Sequence, residues 1–271
     1  MSRRSFSVVA LTMLLLALGS PSAPAKPKVR DLLPDLVPIS TRTVATGGPV
    51  TCQPVEMVEQ GARRCLRFDQ TIANFGDGPF EIRYGIETLL STQELRQRIY
   101  RSDGTTRDRL ADHYEFHAAH AHFHYKSFGL TRLWASDQAG TRFGVEPVRD
   151  GRKNGFCVVD VENRWAGQPG SVDEPHYQDP QCQVPSDLST GVEMVQGISK
   201  GWADIYAAHV EGQYVEITGV PDGFYLLETI ADPENTVLEG DERNNSVFTH
   251  VQLCNDFAQL YPPPPGFDFC P

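Results

Sequence analysis

Short strand-like runs separated by frequent turn residues constrain the fold of this chain more than any other feature. The sequence contains 23 glycines and 20 prolines among 271 residues, so its regular segments must be brief. Five runs have the alternating or β-branched character of strands: "CLRFDQTIANFG", "PFEIRYGI", "YVEITGV", "GFYLLETIADP" and "NSVFTHVQL". We therefore expect an all-β fold, an antiparallel β-sandwich core with long disulfide-tied loops and few short helices.

Three local features complete the predicted fold. The segments "PDG" and "GDERNN" predict turns that join the last three strands in a meander. One helix is predicted over residues 91–102, capped by Ser91 or Thr92. Residues 163–190 are rich in Gly, Pro and Asp, which predicts a long irregular loop.

The first 25 residues have the pattern of an export signal. Arg3 and Arg4 precede an apolar stretch, and small residues precede a predicted cleavage after Ala25. The stretch is too short to span a bilayer, and no later stretch reaches about twenty apolar residues, so no membrane anchor is expected. The paired arginines fit the twin-arginine route, and a Sec signal fits as well. Either route predicts an exported protein, secreted or periplasmic, whose residues 26–271 form one domain.

The charge and the cysteines fit an exported protein. The formal net charge is −11, which disfavours nucleic acid and anionic lipid as partners and favours cationic ones. The six cysteines are an even number, and in an oxidising compartment they predict disulfides. Many connectivities are possible, but the order along the chain favours three local bridges: Cys52–Cys65, Cys157–Cys182 and Cys254–Cys270. There is no C-x-x-C, so a thiolate metal site is not expected.

Four of the eight histidines lie in one segment, "HAAHAHFHY", at residues 117–125. In a strand, His120, His122 and His124 alternate and point to one face. In a helix, His122 would point away from the others. The helical stripe would then consist of His113, His117, His120 and His124. The aromatic and apolar alternation of "HFHYKSFGLTRLW" favours the strand.

Three converging imidazoles form a metal site that suits Zn²⁺ or Cu²⁺. Such a site leaves a position open for water, oxygen or substrate, which favours catalysis over a structural role. A His-rich surface patch with incidental metal affinity is the simpler alternative. The histidines alone do not distinguish hydrolysis from redox chemistry.

The segment "YEFHAAHAHFHYKSF" resembles the copper motif of the lysyl oxidase family, W-E-W-H-x-C-H-Q-H-Y-H, with the four histidines at the same spacing. The resemblance implies that His120, His122 and His124 bind copper and that His117 lies nearby. Ala119 stands where the motif has cysteine. The chain would be a bacterial member of the family, similar to it from about residue 35 to residue 270.

Two further segments are similar to the places where the family builds its cofactor. "DGRKNGFCVVD" puts Lys153 at the position of the cofactor lysine, and "KGWADIYAAHVEGQYVEIT" puts Tyr206 at that of the tyrosine. The resemblance implies that these residues cross-link into lysine tyrosylquinone. A quinone supplies the electrophilic carbonyl that no standard side chain offers to an amine.

The implied activity is oxidation of primary amines by molecular oxygen to aldehydes, with release of ammonia and hydrogen peroxide. The acidic charge suits a cationic amine, either a peptidyl lysine or a small amine. Animal members carry a further histidine soon after the copper motif, but "SFGLTRL" has none. A carboxylate or His209 therefore remains as the candidate general base.

A calcium site is also implied. "VLEGDERNNSV", with an Asp-Leu pair near residue 35, is similar to the family's calcium site, and oxygen donors of this kind suit a hard cation. The implied ligands are Asp35, the Leu36 carbonyl, Glu239, Asp241, Asn244 and Asn245. An Asx-rich turn without metal is the alternative.

Two functions other than amine oxidation use the same histidines. The first is a zinc hydrolase, although H-E-x-x-H is absent. The second is a non-catalytic copper-binding extracellular protein. Neither function needs Lys153 or Tyr206.

Overall fold

The structure, a computed structural model, describes most of the chain after the predicted export signal. The described residues are 28–42, 50–54, 57, 61–85, 93–117, 122–125, 127–151, 155–178, 193–263, 265 and 270. At residues 93, 115–117 and 122–124 it describes the backbone alone. The predicted signal, residues 1–25, lies outside these ranges.

Antiparallel β-strands build the described part of the chain. In chain order they are β1 (Asp31–Leu32), β2 (Leu36–Ile39), β3 (Cys65–Arg67), β4 (Gln70–Asn74), β5 (Phe80–Gly85), β6 (Gln93–Arg101), β7 (Thr106–His117), β8 (His122–Tyr125), β9 (Gly129–Ser136), β10 (Arg149–Asp150), β11 (Glu162–Asn163), β12 (Glu193–Ile198), β13 (Trp202–Tyr206), β14 (Tyr214–Glu216), β15 (Gly223–Ala231), β16 (Ser246–Cys254) and β17 (Phe257–Leu260). Helical conformation is limited, within the same ranges, to Pro54 and Met57. No helix there is long and apolar enough to cross a membrane.

Two sheets share the first core. One has the order β12-β5-β6-β7-β8, with β1 paired to β6, and the other has the order β11-β13-β4-β2. Ile82 and Leu95 of the first sheet meet Ile72 of the second in one buried cluster. Tyr125 and Phe156 belong to the same cluster, so the histidine-bearing strand β8 is anchored directly on this core.

A second core is built from the remaining strands. The sheet β10-β9-β15-β16-β17 contributes Leu133 and Leu227, and the strand pair β14-β3 contributes Val215 and Leu66. All four side chains are fully buried. Buried apolar side chains of antiparallel strands thus form both cores, which confirms the predicted antiparallel all-β class.

The prediction of a helix over residues 91–102 is wrong. Gln93–Arg101 is the strand β6, which pairs with β5 and β7. Leu95, Gln97 and Ile99 are buried at alternate positions, whereas Glu94 and Arg96 are exposed. The spacing of four between Leu95 and Ile99 fits a helix as well as a strand, and the pairing with two neighbouring strands decides between them.

The predicted meander is only partly right. The strands β15 and β16 do pair as neighbours, as expected from the turn segment between them. However, β14 pairs with β3, so that Val215 lies opposite Leu66. Both side chains are fully buried in the second core, and the chain after β14 therefore crosses to another sheet instead of reversing within one.

Two of the predicted disulfides are present in the described residues. They join Cys52 to Cys65 and Cys254 to Cys270. Cys157 is also disulfide-bonded. Its predicted partner, Cys182, lies outside the described residues, so that pairing stays a prediction.

Candidate active site

The strand β8 carries two of the predicted copper ligands, His122 and His124. Its backbone pairs with the end of β7, where His122 is opposite His117 and His124 is opposite Glu115. The strand interpretation of the histidine segment is therefore confirmed for these positions. His120 lies outside the described residues.

The residue after His124 joins β8 to the segment that follows Lys153. The backbone N–H of Tyr125 donates to the Phe156 carbonyl at 3.0 Å, and the N–H of Phe156 donates back at 3.1 Å. Paired residues of this kind keep their α-carbons about 5.5 Å apart. Lys153 itself lies outside the described residues, three positions before Phe156.

Tyr206 ends β13 beside this backbone bridge. Its phenolic oxygen accepts a hydrogen bond from the Cys157 N–H at 2.6 Å and donates one to the Cys157 carbonyl at 2.9 Å. Its ring packs edge-on against Phe156, with centroids 4.5 Å apart. The half-buried phenol is thus in contact with the same short segment that pairs with β8.

The turn after Tyr206 is held by two side chains. Arg67, only 8% exposed, donates to the carbonyls of Ala208 at 2.6 Å and Val210 at 2.7 Å. Gln53 donates to the carbonyl of His209 at 2.7 Å. Three consecutive carbonyls are therefore occupied, while the His209 side chain, a candidate general base, is exposed.

The Cys52–Cys65 disulfide brings these two side chains together. Gln53 follows one cysteine directly, and Arg67 lies two residues after the other. Arg67 also pairs through its backbone with Tyr214 on β14, which follows the turn. The turn is consequently anchored at both ends.

Five of the six predicted calcium ligands lie close together. The Leu36 N–H donates to Glu239, and the side-chain amide of Asn245 donates to the same carboxylate at 2.8 Å. The amide of Asn244 donates to Asp35 at 2.8 Å. These contacts join the start of β2 to the loop that leads into β16.

Asp241, the sixth predicted ligand, is paired with Arg243. Arg243 donates to both of its carboxylate oxygens at 2.8 Å. These hydrogen bonds lower the pKa of Asp241 to about 2. Asp241 is therefore engaged by an exposed arginine.

The chemistry of the five clustered residues fits a hard cation. The side-chain oxygens of Asn244 and Asn245 are buried without a hydrogen-bond partner, which native proteins rarely leave uncompensated. Glu239 is 5% exposed, and burial raises its pKa to about 8. Amide and carboxylate oxygens of this kind are the donors that calcium prefers.

Two further carboxylates approach this cluster. Oxygens of Asp232, Glu239 and Glu242 lie within 4.8 Å of one another. Burial raises the pKa of Asp232 as well. A cation near Glu239 would relieve the repulsion among these groups.

Comparison with known proteins agrees with the geometry. A family model described as lysyl oxidase matches residues 83–261, about two thirds of the chain. This range includes β8, the Phe156 bridge and Tyr206. The chain belongs to the lysyl oxidase family.

Curated relatives of the lysyl oxidase family are distant and longer. Lysyl oxidase homolog 1 of Homo sapiens is 26% identical over 229 residues, which cover 83% of this chain and 34% of the relative. Lysyl oxidase homolog 3 of Homo sapiens is 26% identical over 191 residues, 69% of this chain and 18% of the relative. Lysyl oxidase homolog 2 of Gallus gallus is 27% identical over 192 residues, which cover 69% of this chain and 18% of the relative. The chain thus spans about a third or less of the length of these relatives.

One departure from the lysyl oxidase motif has a structural explanation. Tyr114 stands where the motif has its first tryptophan, and it is fully buried. Its ring packs on Tyr84 with centroids 4.1 Å apart, and its hydroxyl donates to the Gly85 carbonyl. A tyrosine fits this position because its ring is buried and its hydroxyl finds a backbone acceptor at the end of β5.

The lysyl oxidase motifs gave no indication of several residues that shape the site. Arg67 and Gln53 act on backbone carbonyls, which no side-chain pattern reveals. The available signal was an arginine between apolar residues in the run "CLRF", since an arginine that becomes buried is nearly always paired. Tyr125 could have been noticed only as an aromatic residue next to the last histidine.

Proposed function

We propose that this chain is a copper- and quinone-dependent amine oxidase of lysyl oxidase type. It would convert a primary amine, oxygen and water to an aldehyde, ammonia and hydrogen peroxide. The observation that carries the proposal is the continuous contact from β8 through Tyr125 and Phe156 to Tyr206. Only the oxidase, among the functions considered, needs the histidine strand beside this phenol.

Each predicted residue has one role in the proposal. His120, His122 and His124 would hold copper, with His117 nearby, and Lys153 would join Tyr206. When bound, the copper and the quinone supply the redox chemistry with oxygen and the carbonyl that reacts with the amine. The Lys153 amine would have to be free of its proton to attack the Tyr206 ring after that ring has been oxidised by oxygen.

The backbone of Cys157 would orient the reacting ring. Its N–H donates to the Tyr206 oxygen and its carbonyl accepts from the same hydroxyl, so the phenol is held at two points. Phe156 packs against the ring and limits its rotation. The position of the ring relative to β8 is thus fixed before any chemistry begins.

The proton of the substrate would pass to a nearby base. His209 is a candidate because it lies three residues beyond Tyr206, on a turn whose carbonyls are held in place, with its side chain exposed. A carboxylate remains the alternative. The substrate would be a cationic amine, either a peptidyl lysine or a small amine, because the net charge of −11 attracts cations.

Calcium would stabilise the fold near the site. Asp35, the Leu36 carbonyl, Glu239, Asn244 and Asn245 would bind it, and Asp241 would join only after leaving Arg243. The cation would tie the start of β2 to the loop before β16. We also propose that the protein is exported, to the periplasm or the medium.

The test is turnover by the copper-loaded protein. We expect equal amounts of aldehyde and hydrogen peroxide from a primary amine, and loss of both in the Lys153→Arg variant. The copper content of the variant should equal that of the wild type. An unchanged rate in this variant would refute the cofactor assignment, and hydrolytic activity without peroxide would favour the zinc hydrolase instead.

A further inference from the structure

We propose that Tyr125 is a positioning residue that couples the predicted calcium loop, residues 232–245, to the copper strand β8. The inference rests on the proposed function, because it assigns metals to both elements. Tyr125 follows His124 directly and has no counterpart in the motif that carries the family resemblance. The structure connects it to both elements.

The backbone and side chain of Tyr125 reach different parts of the molecule. Its backbone pairs with Phe156 on the segment beside Tyr206. Its ring is 1% exposed and packs near Phe80 and Phe128, with centroids 6.4 and 6.0 Å away. The residue beside a predicted copper ligand is therefore immobilised within the core.

The phenol of Tyr125 enters a hydrogen-bonded chain that leads to a buried carboxylate. Its oxygen lies 2.6 Å from the Thr236 hydroxyl, which donates to Asp232 at 3.0 Å. Because a hydroxyl has one proton and Thr236 gives it to Asp232, Tyr125 must be the donor to Thr236. The order of donation thus runs from Tyr125 to Thr236 to Asp232.

Asp232 belongs to the group of carboxylates at the predicted calcium site. Its oxygens lie within 4.8 Å of those of Glu239 and Glu242. The loop between Asp232 and Glu239 is short and well held, since Arg109 donates to the Thr236 carbonyl at 2.6 Å. Gln97 accepts from the Leu238 N–H at 2.8 Å and donates to its carbonyl at 2.9 Å.

This geometry predicts that binding of either metal raises the affinity of the protein for the other. A cation at Glu239 fixes the carboxylates of the loop, and with them Thr236 and the phenol of Tyr125. The strand β8 is then partly ordered before copper arrives, so copper binding loses less conformational entropy. Linkage requires that copper strengthen calcium binding by the same factor.

The experiment measures copper affinity with and without calcium, in the full metal-free chain under nitrogen. Copper is titrated against a chromophoric chelator that does not bind calcium. We expect calcium to tighten copper binding at least about 5-fold in the wild type. In Tyr125→Phe the factor should fall below about 2-fold, while each metal still binds alone.

Matched variants separate coupling from a general loss of stability. Thr236→Val should remove the coupling, whereas Thr236→Ser keeps the hydroxyl and should preserve it. Tyr225→Phe is the control, because Tyr225 is a buried tyrosine of the other core whose hydroxyl donates to the Pro221 carbonyl at 2.7 Å. Tyr225→Phe should leave the calcium-dependent increase in copper affinity unchanged.

Two results would overturn the inference. One is a wild-type copper affinity that calcium does not change, and the other is a calcium effect in Tyr125→Phe as large as in the wild type. If the wild type bound copper and oxidised amines but gave either result, only the inference would fail. If the wild type bound no copper at all, the proposed function and the inference would fail together.

Discussion

The phenolic oxygen of Tyr206 forms hydrogen bonds with both backbone groups of Cys157. It accepts from the nitrogen at 2.6 Å and donates to the carbonyl oxygen at 2.9 Å. These residues are 49 positions apart in the sequence. The contact joins the end of β13 to the segment that pairs with β8. It brings the proposed cofactor tyrosine to the predicted copper strand.

Removing the Tyr206 hydroxyl should separate chemistry from metal binding. In Tyr206→Phe we expect no amine oxidation and full copper content, because the phenol is the proposed cofactor precursor and is not among the proposed copper ligands. The buried Cys157 N–H loses its acceptor, so the free energy of unfolding should drop by about 1–3 kcal/mol. Turnover, copper analysis and urea unfolding measure these effects. Tyr261→Phe, at a phenol outside the site, should keep full turnover.

Loosening the turn after Tyr206 should lower the rate without removing copper. In Arg67→Met the carbonyls of Ala208 and Val210 lose the hydrogen bonds from the guanidinium, and a misplaced ring slows the reaction. We expect kcat to fall about 10- to 100-fold. Arg63→Met is the control, since Arg63 is an exposed arginine of the same segment. An unchanged kcat in Arg67→Met would show that the turn has no part in positioning.

Calcium should stabilise the protein through Glu239. At about 100 times its dissociation constant, a bound ion adds about 2.7 kcal/mol to the free energy of unfolding. In Glu239→Gln this stabilisation should be lost, whereas Glu234→Gln, an exposed residue of the same loop, should retain it. Thermal unfolding with and without calcium measures the difference. Equal stabilisation in both variants would place the cation elsewhere.

The pH dependence of stability should include a contribution from His250. Burial between Phe224 and Tyr261 lowers its pKa below the ordinary 6.5, because the charged ring is disfavoured there. The unfolded state then binds the proton more readily, so stability should fall as the pH drops below about 6.5. His250→Gln should flatten this part of the curve. A curve unchanged by the substitution would contradict the assignment.

The strands and two disulfides were predictable because they depend on local patterns. Alternation identified β5, β15 and β16, and cysteine order identified Cys52–Cys65 and Cys254–Cys270. For β6 the pattern predicts a helix, because the spacing of its apolar residues fits a helix and a strand alike. The pairing of β14 with β3 could not be foreseen, since it joins segments about 150 residues apart.

The site was predictable only in part, for the same reason. Histidine spacing and family motifs indicate which side chains carry the chemistry. They do not reveal what holds these side chains in place. Arg67 lies 141 residues from the Ala208 carbonyl that it binds, and Thr236 lies 111 residues from Tyr125. Such contacts arise from the packing of sheets, which leaves no local pattern in the sequence.

Peptide mass mapping tests the central claim most directly. The protein is loaded with copper in air, digested and searched for a peptide that contains both Lys153 and Tyr206. The proposed function predicts that these residues are covalently joined in the loaded protein and separate in the metal-free protein. Separate, unmodified peptides from a fully copper-loaded protein would contradict it.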